Sequence, residues 1–548
     1  MLPHRQVTTW GAWKSNIGDE AESSWLVSER IFPFASGFIL SASISFILSP
    51  PLFPKYSRQS AMRRIIKVAL ILWVLVACFT RSEAKGQGSE KSAPAPLLNS
   101  VSTNDQPLAR GRLIERVASR SDPSQSYALY LPSSYTPEKR WPILYCFDPL
   151  ARGDIPVERF RDAAEKYGWI VVGSHNSRNG PLKPSFEATA MMWDDTHARL
   201  SIDERRVYAA GFSGGARLAV RFGYFCRGCL AGVIANGAGF PADIKISPAV
   251  LFHVFAIAGT DDFNFPEMKN LDEALGKLSL PHRLAIFDGA HTWAPAAVCT
   301  DAVEWMELQA MKTGKRLRDE ALIEQFWQKQ RLRAREAEEA DKLFEAYQSY
   351  RIAAADFRGL RNVAETEQTA ARLKESREVR RALDEESEQG TRQQRLAGEL
   401  VALLEERRDL NNGAVASISF KKAVEDLKRA ARSAADTGER RVARRALNQV
   451  FAQFYEGATN LLQRRENYAL AASSLAAAAE LAPDNPQILY ELACAYALNR
   501  DKRRAFDALR KAIEKGFKDV TGMARNDAFA ALRKDAEFQK LIDSINLK

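Results

Sequence analysis

Residues 206 to 222 read RVYAAGFSGGARLAVRF, a short apolar run, a glycine-flanked serine and an amphipathic segment. The first five residues have the character of a buried strand, and Gly214–Phe225 has the spacing of a helix. Gly211 and Gly215 permit a tight turn with close backbone approach, which would hold Ser213 clear of the strand tip. This context favours a nucleophilic serine over an ordinary strand-to-helix turn.

Apolar runs of strand length alternate with helical patterns from residue 111 to about residue 310. Seven runs have strand character: 127–131, 142–147, 169–173, 206–210, 230–235, 251–257 and 283–287. Helical patterns fill the intervals, notably at 157–167, 214–225 and 268–278. The alternation predicts an α/β fold, with a mostly parallel sheet covered by helices on both faces.

A serine hydroxyl is a weak nucleophile unless a base takes its proton. In a fold of this kind the acid and then the histidine should follow the serine, each after a later strand. The segment GTDDFN follows one predicted strand, and DGAHTW, which contains His291, follows the last. Between the two neighbouring acids we choose Asp262 over Asp261, because 259–260 forms the turn and the fourth position should face the histidine.

These segments resemble the α/β-hydrolase family, in particular its esterase and depolymerase-like branch. The resemblance is carried by RVY and GFSGG around Ser213, by GTDD ending at Asp262 and by GAH ending at His291, and it covers residues 111–310. It implies hydrolysis of an ester, less often an amide, through an acyl-enzyme, with no metal or cofactor. His291 would act as general base and then acid, oriented by Asp262.

Two backbone N–H groups are predicted to bind the oxyanion. The first is that of Gly214, at the start of the predicted helix. Many family members carry His-Gly after the third strand, and its backbone supplies the second donor. Here the loop reads FDPLA, and Pro149 has no N–H, so the donor would be Leu150 or Ala151. We assign it to Leu150.

The composition excludes some function classes. The net charge of +10 comes from 78 Lys and Arg against 68 Asp and Glu, and it falls on mixed-charge stretches, so nucleic-acid binding is not expected. Among the six cysteines, Cys226 and Cys229 form the one C-x-x-C. Without a second pair or a histidine pair, a metal site is not expected. A local disulfide and two buried thiols are equally consistent with the sequence.

The segment 62–84 is predicted to be a signal peptide, with a basic MRRIIK, the apolar VALILWVLVA and a cleavage site after Ala84. The alternative LVAC resembles a bacterial lipobox, which would lipidate Cys78 and tether the protein to a membrane. The sequence therefore predicts export to the periplasm or the extracellular space. Our hypothesis is that translation starts at Met62, with an N-terminal anchor built from residues 35–48 as the alternative.

The chain is expected to divide into a doubtful extension (1–61), the signal peptide (62–84), a flexible linker (85–107), the hydrolase domain (108–312), a helical region (313–450) and repeats (451–548). The repeat has a period of 34 residues: Ala471, Leu475 and Ala478 recur as Ala505, Leu509 and Ala512. It resembles tetratricopeptide repeats, which implies a protein or peptide partner on a concave face. The alternative is that these helices only brace the hydrolase.

Three functions are consistent with the sequence. The first is an exported esterase acting on a small-molecule or polymeric ester, with a helical partner-binding domain. The second is an inactive hydrolase-fold scaffold for protein interaction, and the third is a serine peptidase with the same triad. The complete order of serine, acid and histidine favours the first. Four aromatic residues near the predicted loops would line an acyl pocket or belong to the core: Trp193, Phe263, Phe265 and Trp293.

Overall fold

In the computed structural model, which describes residues 108–407 and 413–546, eight strands form one sheet. Its order is β1-β2-β4-β3-β5-β6-β7-β8. The strands are β1 (Leu113–Ala118), β2 (Ser126–Tyr130), β3 (Trp141–Phe147), β4 (Ile170–Ser174), β5 (Ile202–Phe212), β6 (Gly232–Asn236), β7 (His253–Gly259) and β8 (His282–Phe287). Strand β2 runs antiparallel to both of its neighbours, and β3 to β8 are parallel to one another. All seven predicted strands are present.

Five helices cover the two faces of the sheet: α1 (Asp154–Tyr167), α2 (Leu182–Arg199), α3 (Gly214–Phe225), α4 (Phe265–Lys277) and α5 (Ala296–Lys312). Each face has its own hydrophobic core, and alternate residues of β3 belong to different cores. Tyr145 packs with α2 and α3, whereas Leu144 packs with α1 and α5. A strand buried on both faces is therefore a continuous apolar run. The predicted fold class is confirmed.

From residue 320 onward, the described part of the chain is mostly helical. It contains α6 (Glu320–Glu339), α7 (Leu343–Phe357), α8 (Ala364–Lys374), α9 (Arg377–Glu406), α10 (Gly413–Ala431), α11 (Gly438–Arg464), α12 (Tyr468–Leu481), α13 (Pro486–Leu498), α14 (Lys502–Glu514), α15 (Val520–Arg525) and α16 (Ala536–Asn546), with a 3-10 turn at Asp527–Phe529. Within residues 108–407 and 413–546, no helix has the length and apolar character needed to cross a membrane.

The six residues that define the 34-residue period are all buried in the core of α11 to α16. Four of the six are alanines, whose small side chains let helices pack closely. The assignment to tetratricopeptide repeats stays a prediction. The predictions for residues 1–107, including the signal peptide and lipidation of Cys78, lie outside the described residues.

The helical region packs directly against the sheet domain. Asp356 of α7 is buried, and its carboxylate accepts hydrogen bonds from Trp305 of α5 (2.7 Å) and from Arg283 of β8 (3.1 Å). Leu308 and Met311 of α5 share a hydrophobic core with residues of α6 and α7. The two regions are thus joined by buried polar and apolar contacts.

Cys226 and Cys229, at the end of α3, form a disulfide with a Cα–Cα distance of 5.7 Å. Of the two alternatives that the sequence left open, the structure has the local disulfide. The other cysteines in the described part of the chain, Cys146, Cys299 and Cys494, are buried free thiols.

Candidate active site

The turn between β5 and α3 holds Ser213 in a sparsely populated backbone conformation. Its φ is 53° and its ψ is −122°, a conformation that costs a non-glycine residue about 1–3 kcal/mol. The flanking glycines are required by close backbone contacts. A Cβ on Gly211 would lie 2.1 Å from the carbonyl oxygen of Gly215, and a Cβ on Gly215 would lie 2.0 Å from that of Phe147.

The structure brings Ser213, His291 and Asp262 together in one hydrogen-bonded chain. Ser213 Oγ lies 3.0 Å from His291 Nε2, and His291 Nδ1 lies 2.9 Å from Asp262 Oδ1. An ionised carboxylate only accepts hydrogen bonds, so Nδ1 carries the imidazole proton and Nε2 accepts from the serine hydroxyl. Asp261, the alternative acid, points elsewhere and pairs with Arg444 at 2.8 Å.

The loop that carries the histidine is held by a residue that the sequence analysis missed. Asn236, at the end of β6, donates from Nδ2 to the carbonyl oxygen of Thr292 (3.0 Å) and accepts from the N–H of Ala294 (2.9 Å). The imidazole of His291 also contacts the rings of Phe212 and Phe263, at centroid distances of 4.6 and 4.2 Å. The available signal was an asparagine closing the apolar run GVIAN.

Asp262 is 1% exposed, and one of its carboxylate oxygens accepts two hydrogen bonds. Oδ1 accepts from His291 and from the N–H of Asn264 at 2.8 Å, and the Asn264 side chain donates to the carbonyl oxygen of Gly237. Gly237 has a φ of 67°, and a Cβ there would lie 3.0 Å from Asp262 Oδ2. The turn after β6 thus packs directly against the acid.

The two predicted oxyanion donors have different outcomes. The Gly214 N–H is the first of α3, so no earlier helical turn supplies an acceptor for it, and it adjoins Ser213. The Leu150 N–H instead donates to Asp148 Oδ1 at 2.9 Å, and the Ala151 N–H donates to the Asp148 carbonyl oxygen. In the structure, Asp148 therefore accepts from the N–H that the loop was expected to present, and the assignment of Leu150 stays a prediction.

The side chain of Asn179 contacts the turn at the same place. A Cβ on Gly214 would lie 1.8 Å from Asn179 Oδ1, so the Asn179 side chain would have to shift to admit one. The backbone N–H of Asn179 donates to the carbonyl oxygen of Pro149, which ties this loop to the one after β3. Asn179 is a second polar group that the sequence analysis did not identify.

Ser213 and His291 open into a cleft of about 1130 Å³ between the sheet domain and the helical region. The opposite wall comes from α11 and α13, including Phe451, Tyr455, Glu456, Tyr490 and Glu491. Burial raises the pKa of the Glu456 and Glu491 carboxyl groups above their usual range.

Of the four aromatic candidates, Phe263 lines this cleft. The other three are buried in the two cores of the sheet domain: Trp193, Phe265 and Trp293. Within residues 108–407 and 413–546, no group of three or more His, Cys, Asp and Glu side chains is arranged to hold a metal ion.

No family model matches the chain, and no curated protein matches its sequence. Similar solved structures include FphF, a fluorophosphonate-binding serine hydrolase of Staphylococcus aureus. It is 15% identical over 36% of this chain and 99% of its own, with a TM-score of 0.30. A ferulic acid esterase is 17% identical over 36% of this chain and 97% of its own, with a TM-score of 0.30. An S-formylglutathione hydrolase of Agrobacterium tumefaciens is 14% identical over 33% of this chain and 88% of its own, with a TM-score of 0.28.

Proposed function

We propose that this protein is a serine hydrolase that cleaves carboxylic esters through an acyl-enzyme. The observation that carries the proposal is the hydrogen-bonded chain from Ser213 through His291 to Asp262, with distances of 3.0 and 2.9 Å. A serine becomes nucleophilic when a base within hydrogen-bond reach is itself oriented by a third group. This geometry disfavours the alternative of an inactive scaffold.

Each group has a defined role in the proposed reaction. Ser213 Oγ attacks the ester carbonyl carbon while His291 Nε2 takes its proton, and Asp262 stabilises the imidazolium that forms. The oxyanion binds the N–H of Gly214, and Asn179, which lines the same cleft, would supply the second donor from Nδ2 after its carboxamide turns. His291 then gives the proton to the departing alkoxide. Water, deprotonated by His291, hydrolyses the acyl-enzyme and restores the serine.

Labelling with a fluorophosphonate probe tests this proposal. The wild-type protein should be labelled, and Ser213→Ala should abolish the label, because the probe phosphonylates an activated serine. Ser177→Ala is the matched control, since Ser177 is also buried and its hydroxyl has no hydrogen-bond partner among the described residues. Labelling that survives in Ser213→Ala, or a folded wild type without label, would exclude the proposed nucleophile.

Substrate assays distinguish between the esterase and the peptidase alternatives. A panel of short- and long-chain esters should be hydrolysed by the wild type and not by Ser213→Ala. Peptide substrates are tested in parallel, because a serine peptidase uses the same three groups. Faster turnover of peptides than of esters would replace our proposal with the peptidase function.

Export of the protein is also part of the proposal, with lipidation of Cys78 as the route to a membrane tether and the C-terminal helices as a surface for a protein partner. The disulfide between Cys226 and Cys229 supports export, because such bonds persist in oxidising compartments.

Alkylation of the unfolded protein without reductant checks the disulfide. Cys146, Cys299 and Cys494 should react, because unfolding exposes their free thiols. Cys226 and Cys229 should react only after reduction. The protein is purified from its native host under non-reducing conditions, and peptide mapping reads each site. Alkylation of the pair before reduction would contradict both the disulfide and the support that it gives to export.

A further inference from the structure

The helical region holds the loop that carries the proposed catalytic acid. Arg445 of α11 is 2% exposed, and its guanidinium donates from Nε to the carbonyl oxygen of Thr260 at 2.7 Å. Its Nη2 donates to the same oxygen. The guanidinium also lies 4.0 Å from the centre of the Phe265 ring, at the start of α4. A single side chain thus fixes both ends of the segment 260–265.

A second contact reaches the same segment from a different helix. Gln393 of α9 is fully buried, and its Nε2 donates to the carbonyl oxygen of Phe263 at 2.8 Å and to Gln449 Oε1 of α11. Arg444, next to Arg445, pairs with Asp261. Three side chains of the helical region therefore contact the residues on either side of Asp262.

These contacts supply donors that the sheet domain does not provide. Contacts inside that domain use N–H groups of the loop. The Asp261 N–H donates to the carbonyl oxygen of Gly289, and the Asp262 N–H donates to that of Gly259. The carbonyl groups of Thr260 and Phe263 are instead satisfied by Arg445 and Gln393. A packed carbonyl group that loses its donor is left without a hydrogen bond, so the loop would move to find another.

We propose that Arg445 and Gln393 are positioning residues for Asp262, and that the helical region is an integral part of the catalytic site. This proposal rests on the proposed function of the triad. It goes beyond both roles that the sequence suggested for these helices, a partner surface and a passive brace. Arginine suits the position because its planar fork gives two parallel N–H donors and stacks on an aromatic ring, which lysine does not.

Arg445 is also a buried cation beside the loop that carries the proposed catalytic acid. Burial lowers the pKa of Arg445 to about 10, so the side chain stays cationic at neutral pH. The nearby Asp261 and Asp262 act against the effect of burial, because a negative charge favours the cationic form of the guanidinium. Ionised Asp262 is the form that accepts from His291 Nδ1 and holds the imidazole for the serine.

The test compares Arg445→Met with the wild type in the full chain. We expect kcat for an ester substrate to fall on the order of 10-fold to 100-fold with KM little changed, because a misplaced acid affects the transition state more than substrate binding. Arg445→Lys should lose less, since it keeps the charge and one donor. Gln393→Leu should lower kcat by up to about 10-fold. It tests the same loop if Arg445→Met does not fold.

A spectroscopic reading separates positioning from general destabilisation. The proton shared by His291 Nδ1 and Asp262 should give a far-downfield ¹H NMR resonance in the wild type, because charge-assisted hydrogen bonds deshield the proton. This resonance should broaden or disappear in Arg445→Met. It is read without substrate, so it tests the positioning role even where fluorophosphonate labelling has refuted the proposed function.

Two arginines provide matched controls. Arg283 pairs with buried Asp356 between the same two regions, and Arg407 pairs with Glu480 inside the helical region. Neither contacts the loop 260–264 in the structure, so Arg283→Met and Arg407→Met should keep the resonance and kcat while lowering the melting temperature. The proposal is overturned if Arg445→Met keeps both, or if Arg283→Met loses both to the same extent.

Discussion

Asp262→Asn should lower kcat for ester hydrolysis by about 10⁴-fold while the protein stays folded. The asparagine amide can donate from its NH₂ group to His291 Nδ1, which stabilises the tautomer whose proton is on Nε2. That nitrogen then cannot accept the proton of Ser213, although the 3.0 Å geometry is retained. Steady-state kinetics on an ester substrate gives kcat, and thermal unfolding verifies the fold.

The neighbouring acid is the control for this prediction. Asp261→Asn removes the partner of Arg444, an ion pair whose arginine side chain is 38% exposed. Partly exposed pairs contribute about 0–1 kcal/mol, so we expect a small loss of stability and kcat within a few-fold of the wild type. A collapse of kcat in Asp261→Asn with an active Asp262→Asn would reverse the assignment of the two acids.

The sheet was predictable wherever a strand is buried on both faces, because such a strand is a continuous apolar run. Strand β1 was missed for the opposite reason. It pairs with one neighbour only, at the edge of the sheet, and its sequence LIERVA leaves Glu115 and Arg116 exposed. An edge strand with a charged centre has no apolar run and resembles a loop in a single sequence.

The order of the site residues was predictable, because parallel strands end at one edge of the sheet and bring their following loops together. The second oxyanion donor was not predictable, since the availability of the Leu150 N–H depends on the direction of the Asp148 side chain. A short acidic side chain competes for nearby backbone N–H groups, and here it takes that of Leu150. Periodicity carries no information about such local competition.

The contribution of the helical region to the site was also hidden in the sequence. Arg444 and Arg445 belong to the run GERRVARRALNQ, which resembles an ordinary solvated helix face. Their partners in the loop 260–262 lie 183 and 185 residues earlier in the chain. Charge pattern predicts that such arginines have acidic or carbonyl partners nearby, and only the packing of α11 on the sheet domain identifies them.

Gly215→Ala should destabilise the sheet domain by about 3 kcal/mol and lower kcat as well. A Cβ on Gly215 would lie 2.0 Å from the carbonyl oxygen and 2.7 Å from the carbonyl carbon of Phe147, which are backbone atoms of β3. Strand β3 is paired on both edges, so it cannot yield without losing sheet hydrogen bonds. The start of α3 has to move instead, and it carries Ser213 and the Gly214 N–H away from His291.

Glycine to alanine at position 398 should instead raise the stability of the protein. Gly398 lies inside α9, exposed, with no atom within 4 Å of an added Cβ, and alanine is about 1 kcal/mol better than glycine in a helix interior. Calorimetry should place the melting temperature of Gly215→Ala roughly 6–12 °C below that of the wild type and that of Gly398→Ala slightly above it. If Gly215→Ala matched the wild type in both melting temperature and kcat, backbone contact between β3 and α3 would not be what holds the serine turn.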